Sequence, residues 1–381
     1  MSFMPPGLDS RGAADRLPLL LTPGPLTTAP EVRAAASRDW GSRESDFIEL
    51  TARVRKRLVA LAGGEELVAV PIQGSGTFAV EAMLGTMVPP SGCVLILVNG
   101  SYGRRMVQIC RRIGRSHQVL ECAEDSIPSV AALERHLMSE PRITHVAVVE
   151  VETTSGILNP IAEIAQAVFR NGRRLLIDAM SAFGALTPTH DLIPYDALAA
   201  SSSKCLEALP GLAFVMAKKD ALLEASGSAP SLSLDLHDQW RGLEANGQWR
   251  FTPPTQIVAA FDRALDLLEQ EGGVRARLKR YRSNLQVLRQ GMDQLGFHAF
   301  LPEHLNAPII ATYHPLNDRF DFEAFHRELF ALGFAIYPGK LTREPSFRVG
   351  CIGQVFPSDM ERFIDAVATI LNLHRRQAIP S

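Results

Sequence analysis

The chain has 381 residues, 46% of them hydrophobic and 21% charged, and a formal net charge of −2 at neutral pH. Such a length suggests about two or three domain-sized units of an ordinary soluble protein, and the near-neutral balance offers no general attraction to nucleic acid or to an anionic membrane. The five cysteines are scattered without a C-x-x-C pair, which argues against a disulfide framework or a zinc site and for a reducing compartment.

The first segment, MSFMPPGLDSRGAADRLPLLL, has only a short apolar patch after a charged, Pro/Gly-rich start. It does not read as a signal peptide, and no stretch approaches the roughly 18 apolar residues of a membrane helix, so a cytoplasmic location is expected. Residues 1–18 read as a flexible arm. LLLTPGPLTTAP (19–30) is too rich in proline to be helical and reads as extended. DFIELTARVRKRLVALAGG has helical apolar spacing and a glycine stop, its basic residues forming a solvated face.

From there strands and helices alternate. LVAVPIQ (67–73), CVLILVNG (93–100), HQVLECA, HVAVVEVE, RLLIDAM and LAFVMAK (212–218) read as strands. TFAVEAMLGTMV (77–88), SYGRRMVQICRRIG, SVAALERHLMS and IAEIAQAVFRNG read as helices between them. Short apolar strands separated by helices predict an α/β domain whose mainly parallel sheet is covered on both faces. After about residue 220 the alternation ends. GQWRFTPPTQ (247–256) is a loop, two long helices follow, and the remainder reads as α+β. The expected division is a large domain over 19–272 and a small C-terminal domain over 273–381.

Four features could carry chemistry. QGSGTFAVEAML (73–84) puts a glycine-rich turn between a strand and a helix, either as a tight turn or as an anion site at the helix N-terminus. It formally matches the dinucleotide pattern G-x-G-x-x-A, but the next strand ends LVNGSYG without the carboxylate that would hold a ribose. Asp178 ends an apolar strand, where a carboxylate is costly unless it caps a turn or meets a cation. Lys204, in AASSSKCLEALPGLAFV, is one of only six lysines against thirty-three arginines. A lysine in a small, uncharged stretch is either a surface residue or an amine of lowered pKa that can form a Schiff base. Arg348, inside the apolar strand FRVGCIG, must be paired, by an internal salt bridge or by a substrate acid. An Asp and a Lys at successive strand ends beyond a phosphate-type turn are the marks of a pyridoxal phosphate site.

Together LLTPGPLTT, RDWGS, QGSGTFAVEA, NG-x-YG, ETTSGILNP, IDAMSAFGA, SSSKC-x-E-x-x-PG, GQWRFTPPTQ, YPGKLT and FRVGCIG resemble the class V (fold-type I) pyridoxal-phosphate aminotransferases, from about residue 19 to 370. RFTPPT and YPGKLT are similar to the branch that works on aminophosphonates. The resemblance implies a large domain with a seven-stranded-type sheet, pyridoxal 5′-phosphate as cofactor, and transfer of the amino group of 2-aminoethylphosphonate to pyruvate. The alternative is a sister enzyme using alanine or serine with glyoxylate or pyruvate.

The same resemblance implies roles for single residues. Lys204 would be the Schiff-base lysine and proton shuttle, and Asp178 the partner of the pyridinium nitrogen. Tyr102 would stack on the ring, Met180 would lie near its other side, and Thr153 would bond its substituents. Ser75, Gly76 and Thr77 would hold the phosphate, joined by Thr252 and Thr255 reaching over from the second subunit of a homodimer. Arg348 would bind the substrate acid, with Gly24 lining the substrate side. Where members usually read DWxxWDxD(Y/F)N, this chain reads DWGSRESDFIEL. Arg43 replaces an aromatic residue and Ile48 an asparagine. Both departures bear on donor choice, and Arg43 is a candidate for an extra anion contact.

Overall fold

A computed structural model describes residues 17–186 and 189–377. Most of the expected N-terminal arm, through residue 16, lies outside them. Seven strands form the main sheet: β1 (Leu67–Gly74), β2 (Cys93–Val98), β3 (Ser116–Glu121), β4 (Ile143–Val149), β5 (Arg174–Asp178), β6 (Ala197–Ser201) and β7 (Gly211–Lys218). Their order is β1-β7-β6-β5-β4-β2-β3. Only β7 runs against its neighbours, and every other pairing is parallel. The α/β reading with a mainly parallel sheet is borne out.

The apolar strands read as they do because both faces are covered. In β2, Leu95 and Leu97 enter one core, whereas Val94, Ile96 and Val98 enter the other. The helices α1 (Ser45–Ala62), α2 (Gly76–Met87) and α3 (Ser101–Arg112) contribute to these layers. Strand β6 escaped the sequence reading. Its five residues, ALAAS, are mostly small and poor in β-formers. They are fully buried between β5 and β7, and their size lets α2 pack across them.

The reversal of β7 has a simple cause. Antiparallel neighbours can be joined by a short loop, whereas parallel ones need a long crossover. Residues 202–210 turn directly from the end of β6 into β7, and Lys204 therefore sits at the carboxyl edge of the sheet, beside the end of β5.

The C-terminal part has a three-stranded antiparallel sheet, Ile310–Tyr313, Phe347–Gly350 and Tyr337–Pro338. Helices Gly273–Gln294, Phe322–Ala331 and Pro357–Gln377 accompany it. The proline-rich segment near the N-terminus is extended, as expected, and joins this part of the molecule. Leu19–Leu20 pairs in parallel with Phe334–Ala335. The Gly350 amide donates to the Leu21 carbonyl (2.9 Å), and a Cβ on Gly350 would come within 2.3 Å of the Thr22 carbonyl oxygen.

A buried ionic cluster ties the Lys204 loop to helix Gly273–Gln294. Glu207, held at the left-handed φ of 55°, accepts from Arg280 (2.8 Å) and from the Tyr281 hydroxyl (2.5 Å). Arg277, 1% exposed, donates to Glu271 (2.6 Å) and to the Cys205 carbonyl (2.8 Å). Among the described residues no helix is long and apolar enough to cross a membrane.

Candidate active site

A cavity of about 350 Å³ opens at the carboxyl edge of the sheet. Gly24, Ser75, Gly76, Thr77, Tyr102, Asp178, Met180 and Lys204 all line it, so the turn, the aromatic, the acid and the lysine do come together.

One end is built by the β1–α2 turn. Gly74 takes a φ of +127°, which swings the chain from strand into helix at Ser75. The Ser75 side chain makes no capping hydrogen bond and the Phe78 amide turns back to the Ser75 carbonyl (2.9 Å), so the Gly76 and Thr77 amides are left for a ligand. Arg105 also lines this cavity and donates to the Thr77 hydroxyl (3.1 Å). Amides, hydroxyl and guanidinium together make a cradle for a phosphate-like anion. Gly76 gives Met180 its place here, because a Cβ would lie 2.2 Å from the Met180 sulfur and that side chain would have to move.

The floor is the end of β5. Asp178 is 5% exposed and accepts the Met180 amide at 3.0 Å. Burial pushes its carboxyl up to about 6 against the pull of that amide, and the neighbouring charge of Glu152 adds to the rise. Among the described residues no lysine or arginine forms an ion pair with it, although Arg105 and Lys204 both exert some pull. The carboxylate is placed to meet a cationic group within the cavity.

Glu152 is fully buried and accepts the Tyr102 and Gly103 amides (both 3.1 Å) together with the Thr154 hydroxyl (2.5 Å). It therefore caps α3 and fixes the position of Tyr102. Gly100 allows this approach, since a Cβ there would lie 2.4 Å from the Glu152 carboxyl carbon.

Lys204 Nζ donates to the Pro23 carbonyl at 2.5 Å. Gly24, at a φ of +121°, lets the N-terminal segment close over the lysine, because a Cβ would sit 2.3 Å from Nζ. Burial lowers the lysine's pKa; Tyr102 opposes that shift, while Arg348 and Lys340 reinforce it. The Tyr102 phenol shifts down. Burial would raise it, but a hydrogen bond with Thr153 and the charges of Lys340, Lys204 and Arg348 outweigh that effect.

Arg348 is 2% exposed on the strand Phe347–Gly350. Its guanidinium is oriented by two carbonyls, Pro338 (Nε, 3.1 Å) and Thr153 (Nη1, 3.0 Å), and by no carboxylate among the described residues. Burial lowers its pKa, with the Tyr102 phenol opposing the shift.

Arg43, Ile48, Thr153, Thr252, Thr255 and Arg348 fall outside this cavity's lining. Arg43 is exposed in the turn before α1, while Ile48 on α1 packs against Gly247. Thr252 is exposed in the loop after Gly247, and Thr255 is buried at the start of helix Thr255–Glu271, its hydroxyl donating to Gln256 (2.9 Å).

Sequence reasoning missed Arg105, Glu152 and Lys340. A basic pair such as Arg104–Arg105 on an amphipathic helix reads most simply as a solvated face. Arg104 does pair with Glu121 (2.9 Å) and Glu124 (3.0 Å), but Arg105 turns inward. The signal was its spacing, three residues after Tyr102 on one helical face. Glu152 follows an apolar strand just as Asp178 does, and Lys340 shares the rarity of Lys204.

The fold and this clustering are those of an aminotransferase. The family profile described as Aminotransferase class-V matches residues 29–347, and the chain belongs to that family, whose members depend on pyridoxal phosphate. It is 50% identical over 361 residues to the 2-aminoethylphosphonate–pyruvate transaminase of Pseudomonas aeruginosa PAO1, covering 94% of this chain and 97% of that one. It is 51% identical over 356 residues to the protein of the same name from Pseudomonas putida KT2440, covering 93% and 97%. Among solved structures, the alanine–glyoxylate aminotransferase of Nostoc sp. superimposes with a TM-score of 0.87 at 23% identity, covering 97% of this chain and 98% of that one. The ureidoglycine–glyoxylate aminotransferase of Bacillus subtilis gives 0.86 at 22% identity, covering 94% of each chain.

A stability measurement checks the electrostatics of Asp178. Its folded value of about 6 lies above its ordinary 3.8, so its stabilising effect is complete below pH 3.8 and is lost as the pH rises through 6. Cofactor-free Asp178→Asn protein should therefore be more stable than wild type by roughly 2–3 kcal/mol above pH 6, with the gap closing toward pH 4. Thermal melts across that range read this directly. A gap independent of pH would contradict the assignment.

Proposed function

We propose that the enzyme transfers the amino group of 2-aminoethylphosphonate to pyruvate, giving phosphonoacetaldehyde and L-alanine, with pyridoxal 5′-phosphate as cofactor. One observation carries the reading. Lys204 and Asp178 share a cavity with an uncapped helix N-terminus, in a chain half identical along nearly its full length to transaminases named for that substrate pair.

The residues fit the cofactor. Asp178 is a buried carboxylate with no paired cation among the described residues and suits a protonated ring nitrogen. Ser75, Gly76, Thr77 and Arg105 suit a phosphate, while Tyr102 and Met180 would flank the ring and Thr153 would bond its substituents. When bound, the cofactor supplies an electron sink for the carbon that bears the amine. Lys204 Nζ, its pKa lowered by burial, takes the proton from that carbon in one half-reaction and returns a proton to the acceptor carbon in the other. The Pro23 carbonyl holds the amine in place between transfers. Arg348 receives the carboxylate of pyruvate or alanine, its fork already aimed by the carbonyls of Thr153 and Pro338. Gly24 lines the substrate side. Arg43, outside the cavity's lining, would act only as a distant anion contact.

The same reading makes the enzyme a cytoplasmic homodimer, with the partner subunit's Thr252 and Thr255 completing the phosphate site. Support comes from Phe78 and Phe251, each 49% exposed, one at the cavity turn and the other in the loop that carries Thr252. All five cysteines are free thiols, in keeping with a reducing compartment.

Two measurements follow. 2-Aminoethylphosphonate should bleach the cofactor absorption band of the holoenzyme, and pyruvate should restore it. Bleaching by alanine or serine but not by the phosphonate would shift the reading to a sister transaminase. Sedimentation equilibrium should return the mass of two chains; a monomer with full cofactor occupancy would exclude the shared phosphate site.

A further inference from the structure

Lys340 has no part in the chemistry described so far, yet its surroundings are built. It lies in the turn between Tyr337–Pro338 and Phe347–Gly350, so the antiparallel pair that carries Arg348 also carries Lys340. The Gly339 amide donates to the Ser346 carbonyl (2.8 Å) and closes the base of the turn. Near its tip, Thr342 donates its amide (3.0 Å) and its hydroxyl (3.2 Å) to Glu124 of the large domain. Glu124 is 8% exposed and is itself held by Arg104 at 3.0 Å.

This double anchoring sets the lysine over Tyr102. Its Nζ lies 3.4 Å from the Tyr102 hydroxyl and 5.1 Å from the ring centroid. The charges of Lys340, Lys204 and Arg348 all act on that phenol. Among the described residues no carboxylate forms an ion pair with Lys340.

The two substrate acids differ in what they need. A carboxylate carries one charge and matches one guanidinium edge. Arg348 has already given Nε–H to Pro338 and an Nη1–H to Thr153 and also meets the Tyr102 phenol, which leaves only part of its fork for such a group. A phosphonate resembles a phosphate, with about −1.5 to −2 charges near neutral pH and three acceptor oxygens. It calls for a second cation whose donors can rotate to meet it, and an ammonium does so.

We propose that Lys340 is a specificity-determining residue, which with Arg348 takes the phosphonate dianion of the amino donor, whereas Arg348 alone takes the carboxylate of the acceptor. This rests on the donor assigned above. Lys340, beside the Tyr102 hydroxyl, would meet the substrate directly, while Glu124 acts through Thr342 as a positioning residue.

The test uses holoenzyme and two non-reacting probes, methylphosphonate and acetate, with affinities measured by calorimetry near pH 8. In Lys340→Met the affinity for methylphosphonate should fall about five- to twentyfold while that for acetate stays within about twofold. Lys340→Arg should recover most of the loss. In wild type the preference for methylphosphonate should fade toward pH 6 as the phosphonate dianion takes up one proton and becomes the monoanion, and in Lys340→Met it should not. A cation that merely steadied Tyr102 would shift the cofactor band and weaken both probes alike. That outcome, or an unchanged affinity for methylphosphonate, overturns the proposal. A wild type that binds methylphosphonate through Lys340 but is not bleached by 2-aminoethylphosphonate would remove the donor and leave the anion subsite standing.

Discussion

The burial of the Asp178 carboxylate at the end of β5 is the constraint on which the site depends. A charge there is costly unless a cation reaches it, and the sheet order brings one close. The strand beside β5 is β6, and the short return into β7 leaves Lys204 at the same edge. The lysine is itself destabilised as a cation by burial, so burial moves the two pKa values toward each other, Asp178 up and Lys204 down. Such paired displacement is what a site for acid–base chemistry requires.

Around this pair the charges are divided by position. One end of the cavity has the N-terminus of α2, Thr77 and Arg105. Arg348 and Lys340 lie beside Tyr102, outside the cavity's lining, and add two more cations near it. The two buried acids have separate tasks, since Asp178 faces the cavity while Glu152 spends its oxygens on the amides that start α3. Glu207 plays a comparable part behind Lys204. Its left-handed backbone and its bonds to Arg280 and Tyr281 fix the loop against helix Gly273–Gln294.

Much of this was legible in the residues. Continuous apolar strands announced a covered parallel sheet, and the isolated Asp178 and Lys204 announced chemistry because neither residue is at ease in such surroundings. What failed did so for physical reasons. Strand β6 is three alanines, a leucine and a serine, and its place in the sheet comes from the burial around it and not from strong strand-forming side chains. Arg105 was hidden because a basic pair on an amphipathic helix usually faces water, and only its register against Tyr102 separates it from Arg104. Arg43 stood out by comparison with relatives, yet its place in an exposed turn follows from tertiary packing that no local pattern encodes. The contribution of Thr252 and Thr255 depends on a second subunit, so a single chain leaves it as a proposal.

The central claim is that Lys204 is the amine to which the cofactor is joined. Holoenzyme reduced with borohydride and digested should carry the pyridoxyl mass on the peptide containing SSSKC, and Lys204→Ala should carry none. A label on any other lysine, or no label on a protein that retains its cofactor absorption, would contradict the account.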